Sequence, residues 1–552
     1  MRQLNEKDIS ILENQHCIAN DWSQVMIDDD LDLGKIRNVK FSGPLKIHKG
    51  VILENIPGGL SGYTIKENVT IINVASLEAD GDSTFGIGTP VAVLDETGSR
   101  SVRIYPGISS QIATLMARDP EWIKKAQASL DEILRTRATS AEIGENAVIK
   151  NAGPILNVSV GKEIAIDGAS RLKNGSIINN ADPGKCFTFI GNGVEAENFI
   201  VEDAKVESKS ILVNCYVGQG AVVSHAFSAH DSLFFSNNAM ENGEAHSLLG
   251  GPYSVSMHKG TLIIGCQTSF LNAGSLTNQS NHMYKLGPVH WGLFERGVKT
   301  SSGSYLMLGA KIGAFSLLMG AHKTHPDSSE FPFSYLFADE RGYTIVVPAL
   351  MLRSCGLLRD EAKWPKRDKR LNMGLPLFDR ISYKVLNPFT VENMLTAIDT
   401  IDRLLKQAAG DDMYMRYKGM KFTRGALERA KNLYTLAISK YLYDVLGDSG
   451  FPEKDDTPPS KWIDLGGQIM PRDYLQRAID TYDINEAEKV FTQAFDDYDR
   501  LEKEWIGRRF GDDWRKKESS IKEMAAKYDA IVEEDRKDYL DMLSREAEML
   551  AL

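Results

Sequence analysis

Residues 148–178 read VIKNAGPILNVSVGKEIAIDGASRLKNGSII, and hydrophobic positions recur in them every six residues, at Val148, Pro154, Val160, Ile166, Leu172 and Ile178. The same interval links Val194, Ile200, Val206 and Leu212 downstream, and Val39, Leu45 and Val51, then Ile65, Ile71 and Leu77, upstream. A helix face repeats every ~3.6 residues and an amphipathic strand every ~2, so neither explains this beat. Short strands separated by sharp turns do, each strand sending one side chain into a shared interior. Such coils bury their cores only by stacking, which predicts a parallel β-helix. Asn174-Gly175, Asn179-Asn180, Gly191-Asn192-Gly193, Gly218 and Gly220 supply the residues that tolerate a left-handed corner.

Working outward, residues 1–35 are polar and acidic and predict an N-terminal cap, with the first coils over 36–79. The beat then stops. Over 80–140, alternation on both sides of Glu96-Thr97-Gly98-Ser99 predicts a hairpin. Asp119-Pro120 then opens a helix with Trp122, Ala126, Leu130 and Ile133 on one face. The main solenoid resumes over 141–350, a Pro-interrupted connector covers 351–390, and helical periodicity over 391–552 predicts an α-helical domain. Met394, Ile398, Ile401 and Leu405 carry that periodicity, as do Ile521, Met524, Tyr528 and Ile531.

The chain has 64 Lys and Arg against 75 Asp and Glu, a formal charge of −11, which argues against nucleic acid or anionic lipid as partner. The basic run KWPKRDKR at 363–370 lies in the connector and is expected to be a solvated segment or a clamp on an acidic surface of the helical bundle. Five scattered cysteines, with no C-x-x-C pair, read as free thiols in a reducing compartment. With no apolar signal-peptide core and no long apolar run, the expectation is a cytoplasmic protein without membrane partners.

Ile143-Gly144-Glu145-Asn146-Ala147-Val148 and Val217-Gly218-Gln219-Gly220-Ala221-Val222 resemble the repeats of the hexapeptide-repeat superfamily. That resemblance, over about half of the chain, implies a left-handed parallel β-helix with three sides per coil. It also implies an acyltransferase using acyl-coenzyme A or acyl-carrier protein, or the C-terminal half of a sugar-1-phosphate nucleotidyltransferase. The stretch LGAKIGAFSLLMGAHKTHPDSSEFPFSYLF (308–337) and the helical tail are similar to an uncharacterised bacterial family loosely labelled UDP-N-acetylglucosamine pyrophosphorylase-related. Nucleotidyl transfer needs a Gly-rich loop with a basic residue. Ile56–Gly62 and Phe85–Thr89 are the nearest candidates and lack one, so acyl transfer is favoured.

Eight of the ten histidines fall between 225 and 325, where the beat slips. A histidine at a coil corner can simply hydrogen-bond the next coil. An acyltransferase, however, needs one imidazole to take the acceptor's proton and a backbone N–H for the oxyanion. His246, His282, His290, His322 and His325 form the pool for that base, with Gly250-Gly251 and Gly320 nearby. Lys285, Trp291, Arg296, Lys311, Lys323 and Asp327 are the candidate substrate residues: cations for phosphate, Trp291 for a ring. His322, His325 and Asp327 offer three metal-ligand types on one loop, but Pro326 breaks its regularity and no metal is assigned. The expected function is a transferase acting on a nucleotide sugar or sugar phosphate. The alternative is a non-catalytic carbohydrate- or nucleotide-sugar-binding scaffold, whose helical tail would drive homo-oligomer formation.

Overall fold

The computed structural model describes residues 1–81, 83–280, 291–407, 413–455 and 457–550, without the side chains of 448 and 547–550. The protein is mainly a parallel β-solenoid with a C-terminal helical region. It divides into two compact units: residues 1–265 with 368–379, and residues 266–367 with 380–552.

In the first unit, parallel pairing stacks Leu53, Ile71, Ile149, Ile166, Ile190, Val206, Val223, Met240 and Ser256 in one inward column. Leu60, Leu77, Ile155, Leu172, Ala196, Leu212, Ala229, Ala245 and Ile263 form a second. One coil therefore takes about three six-residue sides. The inward positions include Ile149, Ile155 and Ile177, all buried, whereas Val148 and Ile178 are half-buried and Pro154 is exposed. The six-residue count is thus one position out of register at those three sites, where an aliphatic neighbour could fill either slot. Pairing begins early: Ile18–Ala19 lies parallel to Lys40–Phe41, and Val25–Ile27 to Leu45–Ile47.

The corners are built by asparagine. Asn174, Asn198 and Asn214 have φ of 49, 55 and 53°. Each amide donates to the next corner residue, at 2.7 Å to Asn198, 3.0 Å to Asn214 and 3.2 Å to Asp231. Asparagine is tolerated in this backbone region, and its side chain replaces a bond the corner cannot make with its own backbone.

The interruption after residue 79 contains the antiparallel pair Pro90–Ala92 with Ser101–Arg103, then helices Ser110–Arg118, Pro120–Lys125 and Gln127–Thr136. Asp119 caps the second helix through Trp122 N, as its sequence predicts. The first helix was not foreseen. Ile112, Leu115 and Met116 mark one apolar face in its sequence, and Ser110–Ala117 is buried throughout. Gly86 lets this segment touch the coils: a Cβ there would sit 2.5 Å from Phe199 O.

A strap, residues 368–379, closes the first unit on a buried polar network. Asp379 accepts from Ser110 N at 2.7 Å and Ser236 N at 2.9 Å. Arg370 pairs with Asp368 at 2.7 Å, and Lys369 Nζ donates to Gly220 O at 2.8 Å. The end of the basic run is therefore buried in the first unit, neither solvated nor laid on the helical bundle. Beside it, Glu202 accepts from Gly107 N, Tyr216 Oη and Asn180 Nδ2. Burial, with Asp203 adjacent, pushes the Glu202 carboxyl up to about 7.

In the second unit the coils continue with Asn278–Ser280, Tyr305–Met307 and Ala321–His322 stacked in parallel. Further ladders join Lys299–Thr300, Leu317–Met319 and Tyr335–Ala338. Helices Pro388–Gln407, Arg424–Leu446, Arg472–Thr481, Ile484–Asp496, Tyr498–Arg509 and Glu518–Leu550 follow. Among the described residues no helix is long and apolar enough to cross a membrane.

Candidate functional site

The parallel order ends where Tyr335–Ala338 turns back antiparallel onto Thr344–Val347. Asp339 sets that turn by accepting from Arg341 N and Tyr343 N, both at 2.9 Å. Thr344–Val347 then takes Met420–Phe422 as a parallel neighbour, and Met415–Tyr417 pairs antiparallel beside it. Lys418 and Gly419, with φ of 45 and 75°, make the two-residue turn between these last strands. Positive φ at both central residues is what such a hairpin needs. A Cβ on Gly419 would lie 2.9 Å from His325 O, so the turn presses against residues 324–327. Thr324 Oγ1 donates to Gly419 O at 3.4 Å, and Asp327 N to Lys418 O at 3.1 Å.

These segments enclose an open pocket of about 280 Å³ lined by Thr324, Tyr343, Arg416, Tyr417, Lys418 and Lys421, among others. Lys421 Nζ lies 4.1 Å from the Tyr343 ring centre and 2.9 Å from Asp339 Oδ2, and this contact holds the Asp339 carboxyl below its usual range. Lys418 pairs with Glu330 at 2.6 Å, and Glu330 also accepts from Tyr417 Oη at 3.0 Å. Among the described residues, no carboxylate lies within ion-pair distance of Arg416, Lys323 or Arg341, which are exposed. Lys323 folds its stem over Gly342, beside Tyr343. The result is a cation-rich, tyrosine-walled recess with unneutralised charge, suited to an anion attached to a ring.

The candidates from sequence are sorted by this geometry. Lys311, Lys323, His325 and Asp327 share this edge of the second unit, where Lys311 Nζ is 3.9 Å from Asp327 and Asp327 Oδ1 accepts from Ser329 N and Oγ. His325 Nδ1 lies 2.6 Å from Leu308 O. His322 is withdrawn from chemistry. It is wholly buried, with Nδ1 2.8 Å from Thr344 Oγ1 and Nε2 3.2 Å from Met319 O, and burial lowers its pKa to about 4. Arg296 is equally inaccessible. Its guanidinium donates to Ser382 O, sits 3.6 Å from Asp464 and lies over the Phe270 ring at 5.0 Å, so it has no face for a phosphate. Trp291 is half-buried, and its carbonyl accepts from Gly309 N at 2.9 Å.

His246 belongs to the first unit, stacked on His230 at 5.8 Å, with Nδ1 3.2 Å from Ser247 Oγ and 3.7 Å from Glu96. His282, Lys285 and His290 lie outside the described residues. Among the described residues no group of three or more His, Cys, Asp or Glu is placed to hold a metal ion. Sequence reading missed Tyr343 and the whole hairpin 415–422. The cue was local: Met415-Arg416-Tyr417-Lys418-Gly419-Met420-Lys421-Phe422 alternates apolar and polar residues on both sides of a Lys-Gly turn.

A family model described as Domain of unknown function (DUF4954) matches residues 1–51 and 45–405, and the chain belongs to that family. The match carries no hexapeptide-repeat or pyrophosphorylase designation. It takes in Thr324 and Tyr343 and stops short of the hairpin at 415–422. The chain is also 22% identical over 589 residues to an "Uncharacterized protein" of Treponema pallidum (strain Nichols), an alignment covering 91% of this chain and 79% of that protein.

Proposed function

We propose that the protein binds a phosphorylated sugar in the pocket beside the Lys418-Gly419 turn, within a solenoid of the hexapeptide-repeat type. The observation that carries this reading is the set of cations lining the pocket with the Tyr343 and Tyr417 rings: Lys418 and Lys421, each paired, and Arg416, which has no carboxylate within ion-pair distance among the described residues. The cations take the phosphate, and the rings with the Thr324 hydroxyl take the sugar. A volume of about 280 Å³ suits a sugar phosphate. It falls just below the range for sites that hold drug-sized ligands, roughly 300–1,000 Å³. A nucleotide sugar would seat only its sugar-phosphate end. Acyl-coenzyme A, with its nucleotide and pantetheine arm, exceeds the pocket.

A transferase reading keeps one residue. A carbonyl only accepts, so the contact with Leu308 O places the His325 proton on Nδ1 and leaves Nε2 to take one from a substrate hydroxyl. His325 is not among the lining residues, so binding stands independently of catalysis.

The test is thermal melting of the full chain with glucose 1-phosphate, UDP-glucose and inorganic phosphate. Binding to the native state raises stability by about 2.7 kcal/mol at a ligand concentration a hundred times Kd. Glucose 1-phosphate is expected to raise the melting point, and R416A with K421A to abolish the rise. An equal rise with inorganic phosphate reduces the site to a simple anion site. No rise with any of the three refutes it.

A further inference from the structure

Helix Glu518–Leu550 buries Ile521, Ala525, Tyr528 and Val532, steps of four, three and four, against the rest of the second unit. Ser439 Oγ contacts Met524 Sδ at 3.7 Å and Lys440 pairs with Asp529 at 3.2 Å, so the helix lies along Arg424–Leu446. The last anchoring contact is Asp535, which accepts from Cys355 N at 2.8 Å. From Arg536 to Glu546 every side chain is exposed, yet the helix runs on to Leu550. That extension is about 22 Å long at 1.5 Å per residue. A free helix of this length is marginal in water. It nevertheless exposes Tyr539 (39%), Leu540 (49%), Met542 (62%) and Leu543 (43%) within five residues. Tyr539 and Met542 extend the buried seam in the same step of four and three.

We infer that this extension is a dimerisation arm, and that its partner is the same arm of a second copy, packed antiparallel. Pairing Tyr539 with Met542 of the second copy keeps the seam in register. On one flank this sets Asp538 opposite Arg545 of the second copy, and the two-fold axis repeats the pair. Glu546 then falls opposite Asp535, which its own unit already holds, and this marks the outer limit of the contact. The acidic balance of 533–546, six acidic residues against three basic, turns the arm away from anionic lipid. Tyr539 and Met542, flanked by Leu543, make a small contact in each copy, so the dimer forms in the micromolar range rather than as an obligate assembly.

Sedimentation velocity of the full chain from about 1 to 100 μM tests this, at concentrations spanning weak association. The expected result is a concentration-dependent monomer–dimer equilibrium, weakened at least tenfold in M542D/L543D. Because these side chains are exposed, the melting point of the monomer should not move. D538R and R545D should each weaken the dimer and the double exchange should restore it, which no folding defect would mimic. A monomer across the whole range, a dimer indifferent to M542D/L543D, or a double exchange no better than the single changes would overturn the inference.

Discussion

The coils of the two units share one hydrogen-bonding plan and differ in what they put inside it. In the first unit the inward columns are aliphatic for eight consecutive levels, from Leu53 to Met240, and turn polar only at Ser256, whose Oγ is buried without a partner. In the second unit one inward column reads Gln279, Leu306, His322. Among the described residues, Asn278 Oδ1 and both amide atoms of Gln279 are buried without a hydrogen-bond partner, and Nε and one terminal nitrogen of Arg296 make no hydrogen bond, the latter resting 3.6 Å from Asp464. Buried polar groups of this kind cost stability, and native structures keep few of them. The first unit is thus built for its own stability. The second tolerates local conflict, and it is also the unit that carries the cation-rich pocket and the exposed arm.

The largest expected effect separates the two interiors. Leu212 is wholly buried between Ala196 and Ala229, small neighbours that cannot collapse into a void. L212A should therefore cost about 3–5 kcal/mol, the upper part of the range for such truncations. Q279L, which replaces an unpartnered amide by an apolar group of similar size, should be neutral or stabilising. Denaturant titration of both variants measures this difference. If Q279L destabilises the protein as much as L212A does, the contrast between the interiors is wrong.

Next in size are two pH effects of opposite sign. Glu202, pushed up from 4.5 to about 7, binds its proton more tightly folded than unfolded. Its contribution is present below pH 4.5 and lost as pH rises to about 7. His322, lowered from 6.5 to about 4, is neutral when folded. Its contribution is present above pH 6.5 and lost as pH falls to about 4. Each amounts to about 3 kcal/mol over its window. Segment-resolved hydrogen exchange should show protection in the first unit falling with rising pH once intrinsic exchange is corrected for, a slope that E202Q flattens. Protection in the second unit should rise across the same window, and H322Q should flatten it. Equal slopes in both units would deny that these groups act where they are buried.

Much of this contrast could be read from the chain. The six-residue beat fixes the coil, and Asn174, Asn198 and Asn214 mark corners, because backbone sterics act locally. Where two aliphatics adjoin, as at Val148-Ile149 and Ile177-Ile178, the beat cannot say which one points inward, and only stacking decides. The helix Ser110–Arg118 was missed although Ile112, Leu115 and Met116 step by three and four, because nine residues show that step only once. The pocket was invisible for another reason. Thr324, Tyr343 and Arg416 meet only through the parallel pairing of Thr344–Val347 with Met420–Phe422, and no sequence interval encodes that pairing. Lys323 stood out for its charge among histidines. Arg296, which stood out on the same grounds, proved to be a buried partner of Asp464, so charge alone does not separate a ligand-binding cation from a structural one.

The smallest predicted effect is therefore the most discriminating. Arg416 is exposed and has no carboxylate within ion-pair distance among the described residues, so its charge stabilises nothing visible in the fold. R416A should change the unfolding free energy by less than about 0.5 kcal/mol, as surface substitutions do. K421A, which breaks the 2.9 Å contact with Asp339 and uncovers the Tyr343 ring, should destabilise the protein more than R416A does, because both charged groups of that pair are half-buried. A positive charge kept where it does nothing for folding is best explained by something that comes and goes. If R416A instead destabilises the second unit by more than 1 kcal/mol, Arg416 is holding the hairpin together. The pocket would then have lost its principal free cation, and the sugar-phosphate reading would lose its main support.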